Sequence, residues 1–296
     1  MANLKEVRVR IASVKSTRQI TSAMKMVAAS KLRRAQNAIL GMRPYAQKLH
    51  EIMQNLSSGM EDSDEGVYAQ DRGNGSVLLV PVTSNRGLCG AFNANIIKET
   101  INYIHTNLPS QQKAGNVDLY CIGKKGADIF KLRGYNIIEI NTAIFDDLTF
   151  DNSVEISEEL MQVFTEKKYD QIILIYNQFK NAAVQMLQVE QFLPVSKKLN
   201  NEVAKDAEPK ANYIFEPNKE EILEALVPKS IKVQLYKALA DSLAAEHGAR
   251  MTAMHQATEN ADSLLKDLNL SYNKARQAAI TNEILEIVSG AEALKG

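Results

Sequence analysis

Apolar positions over the first 56 residues fall on a single stripe: Ala28, Leu32, Ala35, Ile39, Met42, Ala46, Leu49, Met53 and Leu56 follow one another in alternating steps of four and three. That spacing, 3.5 residues on average, is a heptad seam and predicts a long helix made to pair with another. Leu4, Val7, Ile11 and Val14 obey the same rule at the start. Between the two runs the seam falls on Arg18, Thr21 and Lys25, while Ile20, Met24 and Val27 move the apolar side to another face. Either the coil loosens there or the helix meets other surroundings. Pro44 lies inside the pattern, removes one backbone hydrogen bond and predicts a bend.

The far end carries a matching stripe. Tyr236, Leu239, Leu243, His247, Met251, Met254, Thr258, Ala261, Leu265, Leu268, Tyr272, Ala275 and Ala279 step by three or four, interrupted by no proline after Pro228. A stripe on a helix about 55 residues and roughly 80 Å long must be buried. The nearest cover is the other end of the same chain. A domain lies between the two helices, so the pair is expected to run antiparallel.

Between them the texture changes. VLLVPVT from Val77, VDLYCIG (117–123), YNIIEI (135–140), YDQIILIYN (169–177) and VQMLQVEQFLP (184–194) read as strands. Helices are expected at 92–107, 124–132 and from about Asp151, with Ser153 or Asp151 as N-cap. Strands alternating with helices predict a Rossmann-like open α/β sheet, largely parallel. The expected division is 1–57 coiled-coil helix, 58–75 linker, 76–195 α/β domain, 196–217 linker and 218–296 coiled-coil helix. The linkers lack periodicity; the first, SSGMEDSDEGVYAQDRGNG, is acidic and glycine-rich.

Composition narrows the chemistry. Thirty-five basic and thirty-five acidic residues leave no net charge, and two cysteines, Cys89 and Cys121, make no disulfide framework. No stretch reaches about 18 apolar residues, so membrane contact is expected only through partners. There is no GxxxxGK[ST] loop and no HExxH, and His247 and His255 stand too far apart to share a metal. GLCGAF (87–92) follows a strand but lacks the GxGxxG spacing, and a structural turn is the preferred reading. No catalytic residue, cofactor or metal is expected. Residues 1–50 hold eleven Lys or Arg against one acid, Glu6, a net of +10. These charges are spread around the helix, and no aromatic appears before Tyr45. An acidic protein surface suits them better than nucleic acid, although a free-standing coiled-coil scaffold, a basic nucleic-acid-binding protein and a nucleotide-binding α/β enzyme remain alternatives.

At the termini the residues become specific. IASVKSTRQITSAMKMVAASKLRRAQ (11–36) resembles the N-terminal helix of the gamma subunit family of rotary F-type ATP synthases. Ile280, Thr281, Glu283, Glu286, Gly290 and Ala291 are similar to that family's C-terminal signature, and EHGARMTAMHQATENA (246–261) and TSNRGLCGAFNANI (83–96) match as well. Asn85 departs from the family's usual Asp. The resemblance implies a central rotor shaft without a catalytic site of its own. Its coiled coil would sit in a hexamer of alpha and beta subunits, and its globular domain, with the epsilon subunit, on the c-ring. It further implies contacts to beta from Met24, Lys25, Arg250, Arg276, Gln277, Thr281 and Glu283, and a C-terminal bearing of Ile284, Ile287, Val288 and Leu294. The start of the chain has no signal or transit peptide pattern, which favours a peripheral place at the cytoplasmic face of a bacterial plasma (inner) membrane.

Overall fold

The computed structural model describes residues 4–57, 67–70, 72–73, 75–195 and 219–293. Both predicted linkers, 58–75 and 196–217, fall wholly or mostly outside them, as does Leu294. The two ends are helices of 54 and 75 residues, α1 (Leu4–Ser57) and α6 (Lys219–Ala293), each with its proline, Pro44 and Pro228, inside. Between them run β1 (Val77–Pro81), α2 (Phe92–Asn107), α3 (Pro109–Ala114), β2 (Val117–Ile122), α4 (Lys124–Leu132), β3 (Ile137–Asn141), a 3-10 turn (Ala143–Phe145), α5 (Phe150–Thr165), β4 (Gln171–Phe179) and β5 (Gln185–Leu193).

The chain divides into two compact units. One holds residues 1–29 and 250–296, the other 30–249. In the second, five strands form one sheet in the order β3-β2-β1-β4-β5. The first four strands are parallel, and β5 returns antiparallel to β4. Central parallel strands are covered on both faces, which is why β1 reads as an unbroken apolar run and is buried throughout. Side chains alternate between the faces. Leu78, Val80, Tyr120, Ile172 and Leu174 pack with Ile156, Leu160 and Phe164 of α5. Val77, Leu79, Cys121, Ile173 and Ile175 pack with Phe92 and Ile96 of α2 and Phe130 of α4. Along α1, Val7, Thr21, Ala28, Leu32, Ala35, Ile39 and Leu49 are buried, all at heptad-stripe positions.

Two expectations change. The N-cap of α5 is Thr149, whose hydroxyl accepts from the Asn152 amide at 3.2 Å; Asp151 and Ser153 lie inside the helix. Asp151 sits in the first turn, where a negative charge favours the helix dipole, so the signal was real but two residues late. The short helix α3 had no predicted counterpart. It has one turn and a half, too short to show a period, and rests on Pro109 at its start and Gly115 in the left-handed conformation at its end.

Gly123 joins β2 to α4 at φ +97°, and a Cβ there would lie 2.0 Å from the Thr83 carbonyl oxygen. Gly123→Ala therefore collides with backbone that is itself held, because the Thr83 amide donates to Ile122 O at 2.7 Å. The expected loss is roughly 3 kcal/mol, from overpacking and an unfavourable φ together. An unchanged urea midpoint would show that the loop yields.

Candidate functional site

Three polar residues break the apolar seam of α1, and in the first unit each meets a polar residue of α6. Arg18 Nε donates to Asp262 Oδ1 at 2.5 Å. Thr21 and Thr258 join hydroxyls at 2.8 Å. Lys25 Nζ lies 3.2 Å from His255 Nδ1. Near the start of α1, Arg8 donates to the Tyr272 hydroxyl at 2.9 Å and lies 5.8 Å from its ring centre. Partner numbers in every pair add to 279 or 280, so the helices run antiparallel in one constant register. The seam does not loosen at Arg18, Thr21 and Lys25; it changes from apolar to polar rungs.

The rungs are ordered internally. Each threonine hydroxyl also reaches a carbonyl of its own helix, Thr258 that of Met254 at 2.7 Å and Thr21 that of Arg18 at 3.1 Å, so either hydroxyl can donate across the pair. Thr21 is buried there at 8% exposure. An ammonium only donates, so His255 takes the Lys25 bond on Nδ1 and turns Nε2 toward Glu259 Oε1 at 3.5 Å. The Tyr272 hydroxyl holds the Arg8 guanidinium above its ordinary pKa. Arg18 and Asp262 are each nearly half exposed, where an ion pair adds little stability and mainly fixes geometry.

Of the residues implied as contacts, Met24, Lys25 and Arg250 are half-buried. On the neighbouring faces Ile20, Met26 and Val27 are exposed. At residue 276 α6 reaches the position opposite Leu4, and beyond it every position to 292 except half-buried Ala279 is exposed. Arg276, Gln277, Thr281 and Glu283 lie on this stretch, where the Thr281 hydroxyl donates to the Gln277 carbonyl at 2.9 Å. So do Ile284, Leu285, Ile287 and Val288, each more than half exposed. A helix end bare on all sides with this much apolar surface has the composition of a segment that docks elsewhere. Sequence reading missed Asp262 and His255 as rung partners. The signal was available: Thr258 already stands on the second seam, and a polar residue on each seam invites pairing.

The loop after β1 is closed. Thr83 Oγ1 accepts from Gly126 N at 2.9 Å, Ser84 O from Lys125 N at 3.0 Å and Asn85 Oδ1 from Lys124 N at 3.2 Å, so the first amides of α4 are all taken from within. The Asn85 amide also donates to Thr142 O at 2.7 Å, which a carboxylate could not do. Cys89 sits within this loop, with the Asn93 side-chain amide 3.3 Å from its sulfur. Burial pushes the Cys121 thiol up to about 12. Among the described residues no group of three or more His, Cys, Asp or Glu is placed to hold a metal.

Comparison with known proteins places this geometry. The ATP synthase family model matches residues 3–294. The chain is 58% identical to the ATP synthase gamma chain of Christiangramia forsetii and 57% identical to that of Flavobacterium johnsoniae, over the full length of all three. Its fold is similar to a chain of the Euglena gracilis mitochondrial ATP synthase OSCP/F1/c-ring structure, with a TM-score of 0.71 at 23% identity, covering 98% of this chain and 94% of the other. It is also similar to a chain of the Tetrahymena thermophila mitochondrial ATP synthase central stalk and c-ring, with a TM-score of 0.56 at 29% identity, covering 80% and 99%.

Two outcomes follow from the rung and the buried thiols. Replacing both hydroxyls, Thr21→Val with Thr258→Val, removes donor and acceptor together, and unfolding free energy should stay within about 1 kcal/mol of the parent. A loss above about 2 kcal/mol would show that the hydroxyls are needed for stability. Cys89 and Cys121 are 2% and 0% exposed, so iodoacetamide at pH 8 should label neither in the folded chain and both in urea. Labelling of the folded chain would contradict their burial.

Proposed function

This chain belongs to the family of ATP synthase gamma chains, and we propose that its two paired end helices drive the catalytic subunits through Met24, Lys25, Arg250 and the exposed end of α6. As a gamma chain it is the central stalk of an F-type ATP synthase, with the alpha and beta subunits, the epsilon subunit and the c-ring as partners. Rotation is carried between the proton-driven c-ring and the nucleotide sites of beta.

The observation that carries the contact reading is the exposed end of α6. Arg276, Gln277, Thr281 and Glu283 supply polar groups on the same stretch of helix where Ile284, Ile287 and Val288 are bare. In this reading the polar group meets beta. The apolar group, continued by Leu294, turns inside the hexamer's collar. A shaft shifts the affinities of three sites only if it contacts them differently at each angle. A bare helix end offers such contacts. The basic residues of α1 then face an acidic surface of beta. Nucleic acid is not favoured, since similarity to gamma chains runs the full length. Chemistry belongs to beta, and this chain contributes no catalytic group. We place it at the cytoplasmic face of a bacterial plasma membrane, held there by its partners. The support is the bacterial source of the similar gamma chains, and no described helix is long and apolar enough to cross a membrane.

Reconstitution tests this directly. A complex of three alpha and three beta chains should regain full ATPase only when this chain is added. Arg276→Ala with Gln277→Ala should lower the coupled ATPase about five-fold or more, the scale of a typical coupling energy, with the circular dichroism of the chain unchanged. Unaltered turnover would remove both residues from the contact.

A further inference from the structure

Strand order puts the switch point of the sheet between β1 and β4, outside whose carboxyl ends doubly wound α/β domains hold their ligands. Here the chain's own α6 comes against the β4 side of that edge, where Gly248 meets Phe179 and Ala182. The early part of α6 lies on the α5 face: Ile231, Leu235 and Leu239 share a buried cluster with Ile156 and Leu160. It is tied there by Lys232 to Glu158 at 2.6 Å and by Gln234 to Glu190 at 2.8 Å. Less than two turns beyond Leu239, Ala245 and then Ala249 belong to the cluster on the opposite face, with Cys89, Phe92 and Ile175. Between Leu239 and Ala245 the helix therefore passes across the end of the sheet.

The crossing is buried to an unusual degree for polar residues. Asp241, Ser242, Glu246 and His247 are all buried. Gly248 then brings helix backbone against the turn between β4 and β5. A Cβ on Gly248 would stand 3.3 Å from Ala182 Cα, 3.3 Å from the Phe179 ring and 3.4 Å from Ala182 O. The turn is braced from within, since Asn181 Oδ1 accepts from the amides of Ala183 at 3.0 Å and Val184 at 2.8 Å. A glycine weakens a helix interior, and this approach of two backbones is what the residue permits.

We propose that this seat against the β4–β5 turn is the grip by which the α/β domain holds the shaft helix, with the Asn181-braced turn as its jaw and Gly248 setting how deeply the helix seats. Rotation of the domain then turns α6 without slip, and the same helix runs on to Ala293. The functional half of this inference rests on the rotor reading given above; the fixed seat does not.

Two variants in the assembled, membrane-bound complex test it. Gly248→Leu forces the helix outward, so ATP-driven proton pumping per ATP hydrolysed should fall at least five-fold while hydrolysis stays within two-fold. Gly248→Ala, which asks its neighbours to give by only a few tenths of an ångström, should retain most of the ratio. If Gly248→Leu keeps the ratio, or lowers pumping and hydrolysis together, the grip is refuted. A disulfide asks the converse question, because backbones this close are within reach of one. With Ala182→Cys and Gly248→Cys, mild oxidation with copper phenanthroline should bridge the turn to the helix and leave pumping within two-fold of the reduced form. Failure to bridge, or loss of pumping that a thiol reductant restores, overturns the fixed seat. A bridge that forms in a chain that rebuilds no ATPase with alpha and beta would instead refute the rotor reading and leave the seat standing.

Discussion

A long helix with an apolar stripe cannot stand in water by itself, and the end helices of this chain are built around that constraint. α1 spans 54 residues and α6 spans 75, far beyond what helix propensity alone holds together. In the first unit, a single antiparallel register satisfies the stripe. It sets Val7 opposite Tyr272, Ile11 opposite Leu268, Val14 opposite Leu265 and Thr21 opposite Thr258. That register sets Leu4, the first described residue of α1, opposite position 276 of α6. Arg276, Gln277, Ile284 and Ile287 lie at or beyond that position and are exposed.

The polar rungs add selectivity to that pairing. An apolar heptad seam repeats every seven residues, so a slip of one heptad would still set apolar against apolar over much of its length. Thr21 would then face Met251 or Leu265, and its hydroxyl would lose Thr258. Hydroxyl against hydroxyl in a buried position contributes little net stability but makes the wrong registers worse. Arg18 with Asp262 and Lys25 with His255 repeat the match on the flanks, where exposure makes each weak in energy and specific in geometry.

Legibility followed the range of the forces. Both seams and the buried strands could be read from the sequence because their periods are local properties of a stripe or a pleat. Pairing across the seam could be anticipated only as antiparallel. That Arg18 finds Asp262 depends on register, which no single helix contains. The Thr149 cap lay two residues before the acidic signal, since Asp and Ser favour both the cap and the first turn. The bare end of α6 was expected as a bearing from resemblance. Its exposure could not be read from periodicity, because Ile284, Ile287 and Val288 continue the helical spacing without a break. The loop at 83–93 has the composition of a ligand loop. Only the structure reveals that Thr83, Ser84 and Asn85 turn inward to cap α4.

The same distinction bears on how the α/β domain is used here. A doubly wound sheet gathers loop backbone and helix starts at one edge, and what occupies that edge determines the use of the fold. Here the first α4 amides are taken by the loop after β1, and the small residues Ala244, Ala245 and Ala249 of α6 are buried while Gly248 lies against the β4–β5 turn. Small residues let the helix lie close to the strand ends, and larger ones would hold it off. The edge that offers other domains a binding site therefore becomes a mechanical joint, through a change in side-chain size along one helix.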